Sequence, residues 1–265
     1  METLNSTEFY NRLAGAFDIM TDWPSRLAHE MPFIQRTLKR HNARSVLDAA
    51  CGTGWHAIAL EQKGYLAAGC DASPEMIERA RQNAAQSRVN VRFEVAGFTQ
   101  LDKFPETFDT ILCLGNSLPH LLSQEELVEA MQHMRAKLNS GGVVILHNLN
   151  YDLRLKTKPR FFAANGNADT LVWRLADYGP EFITFHTALF ERRPKEGDQG
   201  GPSWTVQVNS TPQRPLRQQD LDEALRRADF EDVQHFGGLD GSPFDREKSG
   251  DLVMVARKRE VNRQG

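Results

Sequence analysis

The sequence predicts an α/β fold built on a doubly wound, mostly parallel sheet, with a helical segment before the sheet and a β-rich insertion after its fifth strand. Short apolar runs alternate with helical patterns between residues 45 and 150, as parallel strands joined by right-handed crossovers require. The first run leads into a glycine-containing loop. Residues 151–213 break the alternation with patterns typical of antiparallel strands, and a helix and two strands then return.

These patterns divide the chain into three regions. A helical N-terminal flap covers residues 1–44, and a Rossmann-like core covers residues 45–150 and 214–258. The insertion, residues 151–213, is predicted to form a β-rich cap that sets specificity, a role that variable segments often take on a rigid scaffold.

Five apolar runs predict the core strands, several without strict alternation because helices cover both faces of a parallel sheet. They are residues 45–50, 66–71, 91–95, 110–115 and 143–148. Between them, Ser73 is a suitable N-cap with Pro74 at the first helical position. Ser123 and Glu126 form a capping box for the next helix, which we expect to end at the Asn-Ser-Gly-Gly of residues 139–142.

The later elements follow from shorter patterns. The cap predicts antiparallel strands at residues 169–177, 181–193 and 204–210. A flexible loop is expected at residues 195–203, where glycines and charges cluster. The returning core elements are a helix at residues 218–230 and strands near 231–237 and 251–258.

Composition and sequence pattern argue against several classes of partner. The net charge of −3 gives no basic field for nucleic acid, and no apolar run approaches the length of a membrane span. The first residues lack the pattern of a signal peptide, and the three cysteines have no metal-type spacing. We therefore expect a cytoplasmic protein with reduced cysteines, no bound metal, and neither a membrane nor a nucleic acid as its partner.

The glycine-containing loop predicts a cofactor site. Residues 52–57, Gly-Thr-Gly-Trp-His-Ala, fit the pattern G-x-G-x-x-G/A, and ligands of doubly wound sheets bind at the carboxyl ends of the strands. Asp71 ends the second strand 19 residues after Gly52, where an acid can reach ribose hydroxyls. This much fits a nicotinamide dinucleotide and S-adenosylmethionine equally.

Three further features resemble class I S-adenosylmethionine-dependent methyltransferases. Asp48 precedes the loop, Met76 follows Asp71 in "DASPEM", and the polar cluster "CLGNSLPHL" ends the fourth strand. These motifs, with "VLDAACGTG", "LNSGGVVIL" and "NYD", occur in the order typical of the glycine/sarcosine N-methyltransferase group. The resemblance covers about residues 45–150 and the final strands.

The resemblance implies a set of cofactor contacts. Asp71 would bind the ribose, Leu114 would contact the adenosyl group, and Arg26 would pair with the cofactor's carboxylate through its two-pronged guanidinium. The full expected set is Arg26, Asp48, Ala50, Gly52, Gly54, Asp71, Met76, Gly97, Phe98, Leu114, Ser117 and His120. Gly97 departs from the resembled group, which has a residue with an amide side chain at that position. Only backbone groups remain there to form a hydrogen bond with the adenine amino group. Phe98 can pack against the face of the adenine ring.

Methyl transfer from a sulfonium is an in-line displacement, so alignment matters more than acid–base chemistry when the acceptor is an amine. We expect Tyr10, Asn116 and His120 as catalytic residues: Tyr10 orients an amine, Asn116 accepts from its N–H, and His120 is a candidate base. Residues expected to line the acceptor side are Asn116, His147, Asn148, Asn150, Tyr151 and Arg154.

Leu149 is the main departure from the resembled group, which has an arginine before Asn-Tyr-Asp to hold the glycine carboxylate. Leucine cannot pair with that anion, and burying it alone would cost several kcal/mol. The sequence therefore predicts a small-molecule amine other than glycine as the acceptor, unless Arg154 or Arg160 replaces the missing arginine.

Four alternatives remain open at this point. They are a small-molecule O-methyltransferase, a nucleic-acid methyltransferase, a cofactor-binding protein without catalysis, and a nicotinamide oxidoreductase. Assembly into a homo-oligomer is also compatible with the resemblance, although no sequence pattern specifies an interface.

Overall fold

The computed structural model describes residues 3–193 and 203–259, and its strands form two separate sheets. The strands are β1 (Ser45–Ala49), β2 (Leu66–Asp71), β3 (Arg92–Val95), β4 (Phe108–Cys113), β5 (Leu138–Leu149), β6 (Phe161–Gly166), β7 (Thr170–Tyr178), β8 (Ile183–Arg193), β9 (Ser203–Gln213), β10 (Phe230–Phe236) and β11 (Asp251–Lys258). The α-helices are α1 (Ser6–Met20), α2 (Trp23–Arg40), α3 (Trp55–Gln62), α4 (Pro74–Gln86), α5 (Gln124–Ala136), α6 (Tyr151–Thr157) and α7 (Gln218–Arg227).

The core sheet has the strand order β10-β11-β5-β4-β1-β2-β3. Strands β1 to β5 pair in parallel, while β11 pairs antiparallel with β5 and β10 antiparallel with β11. The strand order reverses between β1 and β4, which leaves a crevice at their carboxyl ends. This confirms the predicted doubly wound, mostly parallel sheet.

Helices cover both faces of this sheet, which explains the unbroken apolar runs in its strands. On one face, α5 and α7 pack against inward residues such as Leu47 and Val144. On the other face, α2 packs against Val46 and Ile145. In the described ranges, no helix is both long and apolar enough to cross a membrane.

The two predicted helix starts are confirmed. Ser73 Oγ accepts from the backbone N–H of Met76 at 3.1 Å, and Pro74 begins α4. Ser123 and Glu126 form the capping box of α5.

The predicted end of α5 is wrong, since the helix ends at Ala136 and the Asn-Ser-Gly-Gly of residues 139–142 lies inside β5. Gly142 sits so close to the neighbouring strand that an added Cβ would lie 2.9 Å from the carbonyl oxygen of Asp109. Gly142 therefore permits close strand pairing rather than ending the helix in a loop.

The flap joins the other two regions. Phe9 and Leu13 of α1 pack against Val172 and Leu189 of the cap. On the core side, Asp18 accepts hydrogen bonds from five side chains. Its donors are Trp23, Thr53, Trp55, Arg79 and Asn83.

The cap is an antiparallel sheet of order β6-β7-β8-β9. Its β7–β8 hairpin turns at Gly179 and Pro180, as the sequence predicts. The helix α6 and the strand β6 are absent from the prediction, because neither segment has a regular apolar period. Residues 195–202 of the predicted loop lie outside the described residues, and Ser203 begins β9. The domain boundaries proposed from sequence stay a prediction.

Candidate active site

A cavity of about 420 Å³ opens at the carboxyl ends of β1 and β4 and is lined by flap, core and cap. It brings together thirteen residues predicted from the sequence. They are Tyr10, Arg26, Asp48, Ala50, Gly52, Asp71, Met76, Gly97, Phe98, Leu114, Asn116, Ser117 and His120. Of the predicted cofactor set, Gly54 does not line the cavity; a Cβ there would lie 2.7 Å from the ring of Phe93, so this glycine permits helix–sheet packing.

The loop after β1 is shaped by positive φ angles at Ala50 (66°), Gly52 (54°) and Gly54 (84°). Asp71 holds this turn: its Oδ2 accepts from the N–H of Gly52 and its Oδ1 from that of Ser73, both at 2.9 Å. Burial raises the pKa of Asp71, and the two backbone hydrogen bonds partly offset that rise. Each carboxylate oxygen keeps a lone pair, so this pair of oxygens can still accept from a diol.

Asp48 presents an unsatisfied carboxyl oxygen at the cavity. It is 1% exposed, and its Oδ2 has no hydrogen-bond partner among the described residues. Burial raises the pKa of Asp48 to about 6, although the charges of His56 and Arg26 lower it. A buried carboxyl of this kind is suited to accept from an ammonium group.

Arg26 also lines the cavity and is held in place by its neighbours. Its Nε donates to Glu30 Oε1 at 2.9 Å, and its guanidinium lies 5.0 Å from the ring centroid of Trp23. Burial would raise the pKa of Glu30, but its hydrogen bond to His56 and the nearby positive charges lower it to about 2. An added Cβ on Gly115 would lie 3.3 Å from Arg26 Nη2, so this glycine leaves room for the guanidinium.

Apolar side chains line the cavity beside these charges. Met76 and Leu114 are buried, and Phe98 packs at the edge of the core. Gly97 has an ordinary φ of −80°, and a Cβ added there would meet nothing within 4 Å. Its lack of a side chain therefore widens the cavity rather than relieving backbone strain.

Tyr10 and His120 are in direct contact on the acceptor side. The Tyr10 hydroxyl lies 3.1 Å from His120 Nε2, and Gln213 of the cap places its Nε2 at 3.4 Å from the same ring nitrogen. Because the amide nitrogen of Gln213 can only donate, His120 Nε2 acts as the acceptor and Tyr10 donates to it. Burial lowers the pKa of His120 to about 4, so its ring is neutral at pH 7.

Asn116 is held by its neighbours rather than left free. Its Oδ1 accepts from the backbone N–H of Leu149 at 3.0 Å, and its Nδ2 donates to the Tyr151 hydroxyl at 2.9 Å. Tyr151 in turn donates to Gln213 Oε1 at 3.3 Å. Asn116 lines the cavity and its Oδ1 keeps a second lone pair, so the expectation that it accepts a substrate N–H stays a prediction. Tyr151 lies behind the cavity wall, where it orients Asn116 and Gln213.

Four other residues expected on the acceptor side are absent from the cavity wall. His147 Nδ1 accepts from the Gly115 N–H at 3.3 Å, beneath the crevice. Asn148 is buried in β5, and Asn150 caps α6 and donates to the carbonyls of Arg246 and Ser249. Arg154 lies 4.6 Å from the ring centroid of Phe162, behind the wall that this ring forms.

The cap contributes wall residues that sequence reasoning missed, namely Phe162, Arg174, Phe185 and Gln213. They come from four different strands, and only the pairing register of the cap sheet brings them to one face. The alternation within each strand separates two faces but does not indicate which one covers the cavity. In the part of the chain that the structure describes, no cluster of three or more His, Cys, Asp or Glu residues could hold a metal ion.

The chain is similar in sequence to known methyltransferases. Residues 46–142 match the family described as methyltransferase domain. Over 267 residues, the chain is 30% identical to the glycine/sarcosine N-methyltransferase of Aphanothece halophytica, an alignment that covers 97% of this chain and 94% of that protein.

Two solved structures share the fold across nearly the whole chain. The CcbJ methyltransferase from Streptomyces caelestis superposes with a TM-score of 0.78 at 21% identity, covering 97% of this chain and 100% of that one. The sugar N-methyltransferase KedS8 from Streptoalloteichus sp. ATCC 53650 gives a TM-score of 0.65 at 22% identity, covering 98% and 96%.

These matches settle the cofactor class that the glycine loop left open. The orphan carboxyl of Asp48, the arginine at position 26 and the carboxylate of Asp71, whose oxygens keep lone pairs for a diol, also fit an amino acid joined to a nucleoside. The cofactor is S-adenosylmethionine rather than a nicotinamide dinucleotide. The chain therefore belongs to the family of S-adenosylmethionine-dependent methyltransferases that includes the glycine/sarcosine N-methyltransferases.

Proposed function

We propose that this enzyme transfers a methyl group by direct in-line displacement to the amine nitrogen of a small molecule other than glycine. The observation that carries the proposal is the Tyr10 hydroxyl, which lines the cavity and donates to the neutral ring of His120. Its oxygen keeps lone pairs that can accept an N–H from the acceptor. Such a bond fixes the direction of the nitrogen lone pair, and alignment is the main requirement of this displacement.

The cofactor supplies a methyl group on a positively charged sulfur, and the chain's own residues hold that cofactor. We assign Asp48 to its ammonium, Arg26 to its carboxylate and Asp71 to its ribose hydroxyls. Met76, Phe98 and Leu114 provide apolar contacts for the adenosyl group, and the backbone of Gly97 faces the adenine. The remaining predicted contacts are Ala50, Gly52 and Ser117.

The low basicity of His120 favours an amine over an alcohol as the acceptor. A hydroxyl acceptor needs a base near its oxygen, and an imidazole with a pKa of about 4 is a weak base at neutral pH. An amine that arrives uncharged needs no such base. We therefore assign His120 to orienting Tyr10 rather than to removing a proton.

Leu149 supports the exclusion of glycine. It lines the cavity at the position where the resembled group has the carboxylate-binding arginine. Neither proposed replacement reaches the cavity: Arg154 stacks on Phe162, and Arg160 is 66% exposed and pairs with Asp177 at 3.0 Å. A glycine carboxylate against Leu149 would lack the partner that a buried anion requires.

The test is the release of S-adenosylhomocysteine from purified enzyme with S-adenosylmethionine and a panel of acceptors. The panel contains glycine, sarcosine, longer amines, alcohols, phenols and a DNA or RNA oligonucleotide. Turnover on an amine but not on glycine is the expected result. Turnover on glycine would overturn the argument from Leu149, and turnover confined to hydroxyl compounds or to the oligonucleotide would identify a different class of acceptor. Tight S-adenosylhomocysteine binding without any turnover would indicate a non-catalytic protein.

We also propose a reducing compartment such as the cytoplasm, because the three cysteines are free and buried. Assembly into a homo-oligomer stays a prediction from the resemblance. Besides the cofactor, the partner that we propose for the cavity is the small-molecule acceptor.

A further inference from the structure

Arg174 of β7 lies on the face of the cap sheet that covers the cavity. It lines the cavity with Phe162 and Phe185. Strand pairing places it opposite Thr187 of β8, and places Thr187 opposite Asn209 of β9. Directly paired residues share a face, so the three side chains form one row across the sheet.

The guanidinium of Arg174 has fewer hydrogen-bond acceptors around it than it has N–H groups. Its Nε is buried and has no hydrogen-bond acceptor within residues 3–193 and 203–259, and its Nη2 reaches Asn165 Oδ1 only at 3.5 Å. No carboxylate in those ranges lies within salt-bridge distance of it. Arg26, which also lines the cavity, is by contrast paired with Glu30 at 2.9 Å.

The surroundings of Arg174 are electrostatically unfavourable without an anion. Burial lowers the pKa of Arg174, and the positive charge of Arg26 lowers it further. Since an arginine stays protonated in proteins, this charge is held at an energetic cost. In the same row, Thr187 Oγ1 and Asn209 Nδ2 are buried and also lack partners among the described residues. All three groups can donate a hydrogen bond. Only Arg174 of this row lines the cavity, so its guanidinium is the group that an anion bound there can contact.

We propose that Arg174 binds a carboxylate of the methyl acceptor, so that the acceptors are amines whose carboxylate reaches the cap wall of the cavity rather than Leu149, where a glycine carboxylate would lack a partner. The proposal rests on the proposed methyl transfer to an amine and names the second group that the substrate carries. Leu149 leaves the core side of the cavity without an arginine, and Arg174 provides a guanidinium from the cap side instead. Arginine suits the task because its planar fork meets a carboxylate with two parallel hydrogen bonds.

One competing account uses the same observations. Arg174 and Arg26 both line the cavity, and the charge of Arg26 lowers the pKa of Arg174, so Arg174 could instead join Arg26 at the carboxylate of the cofactor. The two accounts differ in which ligand loses affinity when Arg174 is changed. Loss of cofactor affinity indicates the competing account, and loss of carboxylate preference among acceptors indicates ours.

The experiment measures binding to the complex of enzyme and S-adenosylhomocysteine by calorimetry. The probes are three amino carboxylates, sarcosine, β-alanine and 4-aminobutanoate, each beside its primary amide, which keeps the amine and removes the negative charge. The proteins are the wild type, Arg174→Met and the control Arg160→Met, which removes an exposed arginine of the cap that already has a partner.

In the wild type, at least one carboxylate should bind on the order of 10- to 100-fold more tightly than its amide. Arg174→Met should reduce that ratio to about twofold or less while leaving S-adenosylhomocysteine affinity unchanged, and Arg160→Met should keep the wild-type ratio. Arg174→Met should also melt no lower than the wild type, because it removes a buried charge that lacks a partner.

Two results would overturn the proposal: no carboxylate preference in any of the three pairs, or a preference that survives Arg174→Met. A large fall in S-adenosylhomocysteine affinity in Arg174→Met with the preference intact would assign the arginine to the cofactor. The proposed methyl transfer is judged separately by turnover on the neutral amides. Turnover there without any carboxylate preference would leave the function standing and reject only the role of Arg174.

Discussion

The cofactor side and the acceptor side of the cavity are built by different means. On the cofactor side, the loop after β1 is held through the backbone, since Asp71 accepts from the N–H groups of Gly52 and Ser73, while Arg26 is held by a side chain, that of Glu30. On the acceptor side, side chains from flap, core and cap hold one another, and some, such as Arg174 Nε, have no partner within the described ranges. A site fixed by backbone follows from a short motif, whereas a site fixed by side chains depends on how distant segments pack.

The sharpest test of this contrast is Asp71→Ala. The change removes the acceptor of two backbone N–H groups and the proposed ribose contact, each a charge-assisted bond of about 1.5–3 kcal/mol. S-adenosylhomocysteine affinity measured by calorimetry should fall by about 100-fold or more. Circular dichroism serves as the folding control, and a loss below threefold would mean that the loop holds its shape without this carboxylate.

Tyr10→Phe tests the acceptor side with a smaller expected effect. The ring packs edge-on against Phe9 at 5.2 Å, and phenylalanine keeps that packing while losing only the hydroxyl. The rate of methyl transfer in a single turnover on the acceptor that the panel identifies should fall by about 10- to 30-fold. S-adenosylhomocysteine affinity should stay within twofold; an equal loss in binding would show that Tyr10 belongs to the cofactor side.

The pH dependence of cofactor affinity tests Asp48. Its pKa of about 6 in the free protein lies above the usual range, so below pH 6 the carboxyl is protonated. An ammonium ligand favours the ionised form, so acid competes with binding and affinity should fall about tenfold per pH unit below pH 6. Calorimetry with S-adenosylhomocysteine between pH 5 and 8 measures this fall. Asp48→Asn should bind more weakly at pH 7 but with a flat profile, and a profile like that of the wild type would point to another group.

Asp18→Asn tests how strongly the flap is held against the core. Asp18 Oδ1 accepts from Trp23, Thr53 and Trp55, and an amide nitrogen at either position would face donors. We expect the free energy of unfolding to fall by about 1 kcal/mol in urea titrations. Limited proteolysis should cut the flap of the variant sooner, and equal cleavage of both proteins would show that apolar packing alone holds the flap.

The parts that the sequence predicted correctly are those with a regular period or a tight turn. The core strands, the loop after β1 and the capped starts of α4 and α5 each follow from a few neighbouring residues. The prediction for the end of α5 was wrong because glycines usually end a helix, whereas here Gly142 lies within β5 and allows the backbone at Asp109 to come close.

Some residues predicted for the acceptor side do not line the cavity, and the reason is different. His147 and Leu149 are two residues apart in β5, so their side chains share a face of the sheet. Only Leu149 lines the cavity. The ring of His147 instead contacts the N–H of Gly115 and the carboxylate of Asp251. Asn150 follows the strand but turns away to cap α6. Arg174 belongs to no recognisable sequence motif. Only the pairing register of β7 with β8 shows that it shares a face of the cap sheet with Phe185. Such placements depend on tertiary packing, which a local pattern does not contain.

If Tyr10 binds the acceptor amine as proposed, the hydrogen bonds between β5 and Tyr10 limit how many methyl groups that amine can receive. The series begins at a backbone N–H, that of Leu149, and passes through two amides and a phenol to His120. A main-chain N–H cannot reverse its role, so the order of donors and acceptors is fixed and the Tyr10 oxygen can only receive from the amine. Primary and secondary amines have a hydrogen to give. A neutral tertiary amine has none, so methylation that depends on Tyr10 ends when the last N–H has been replaced.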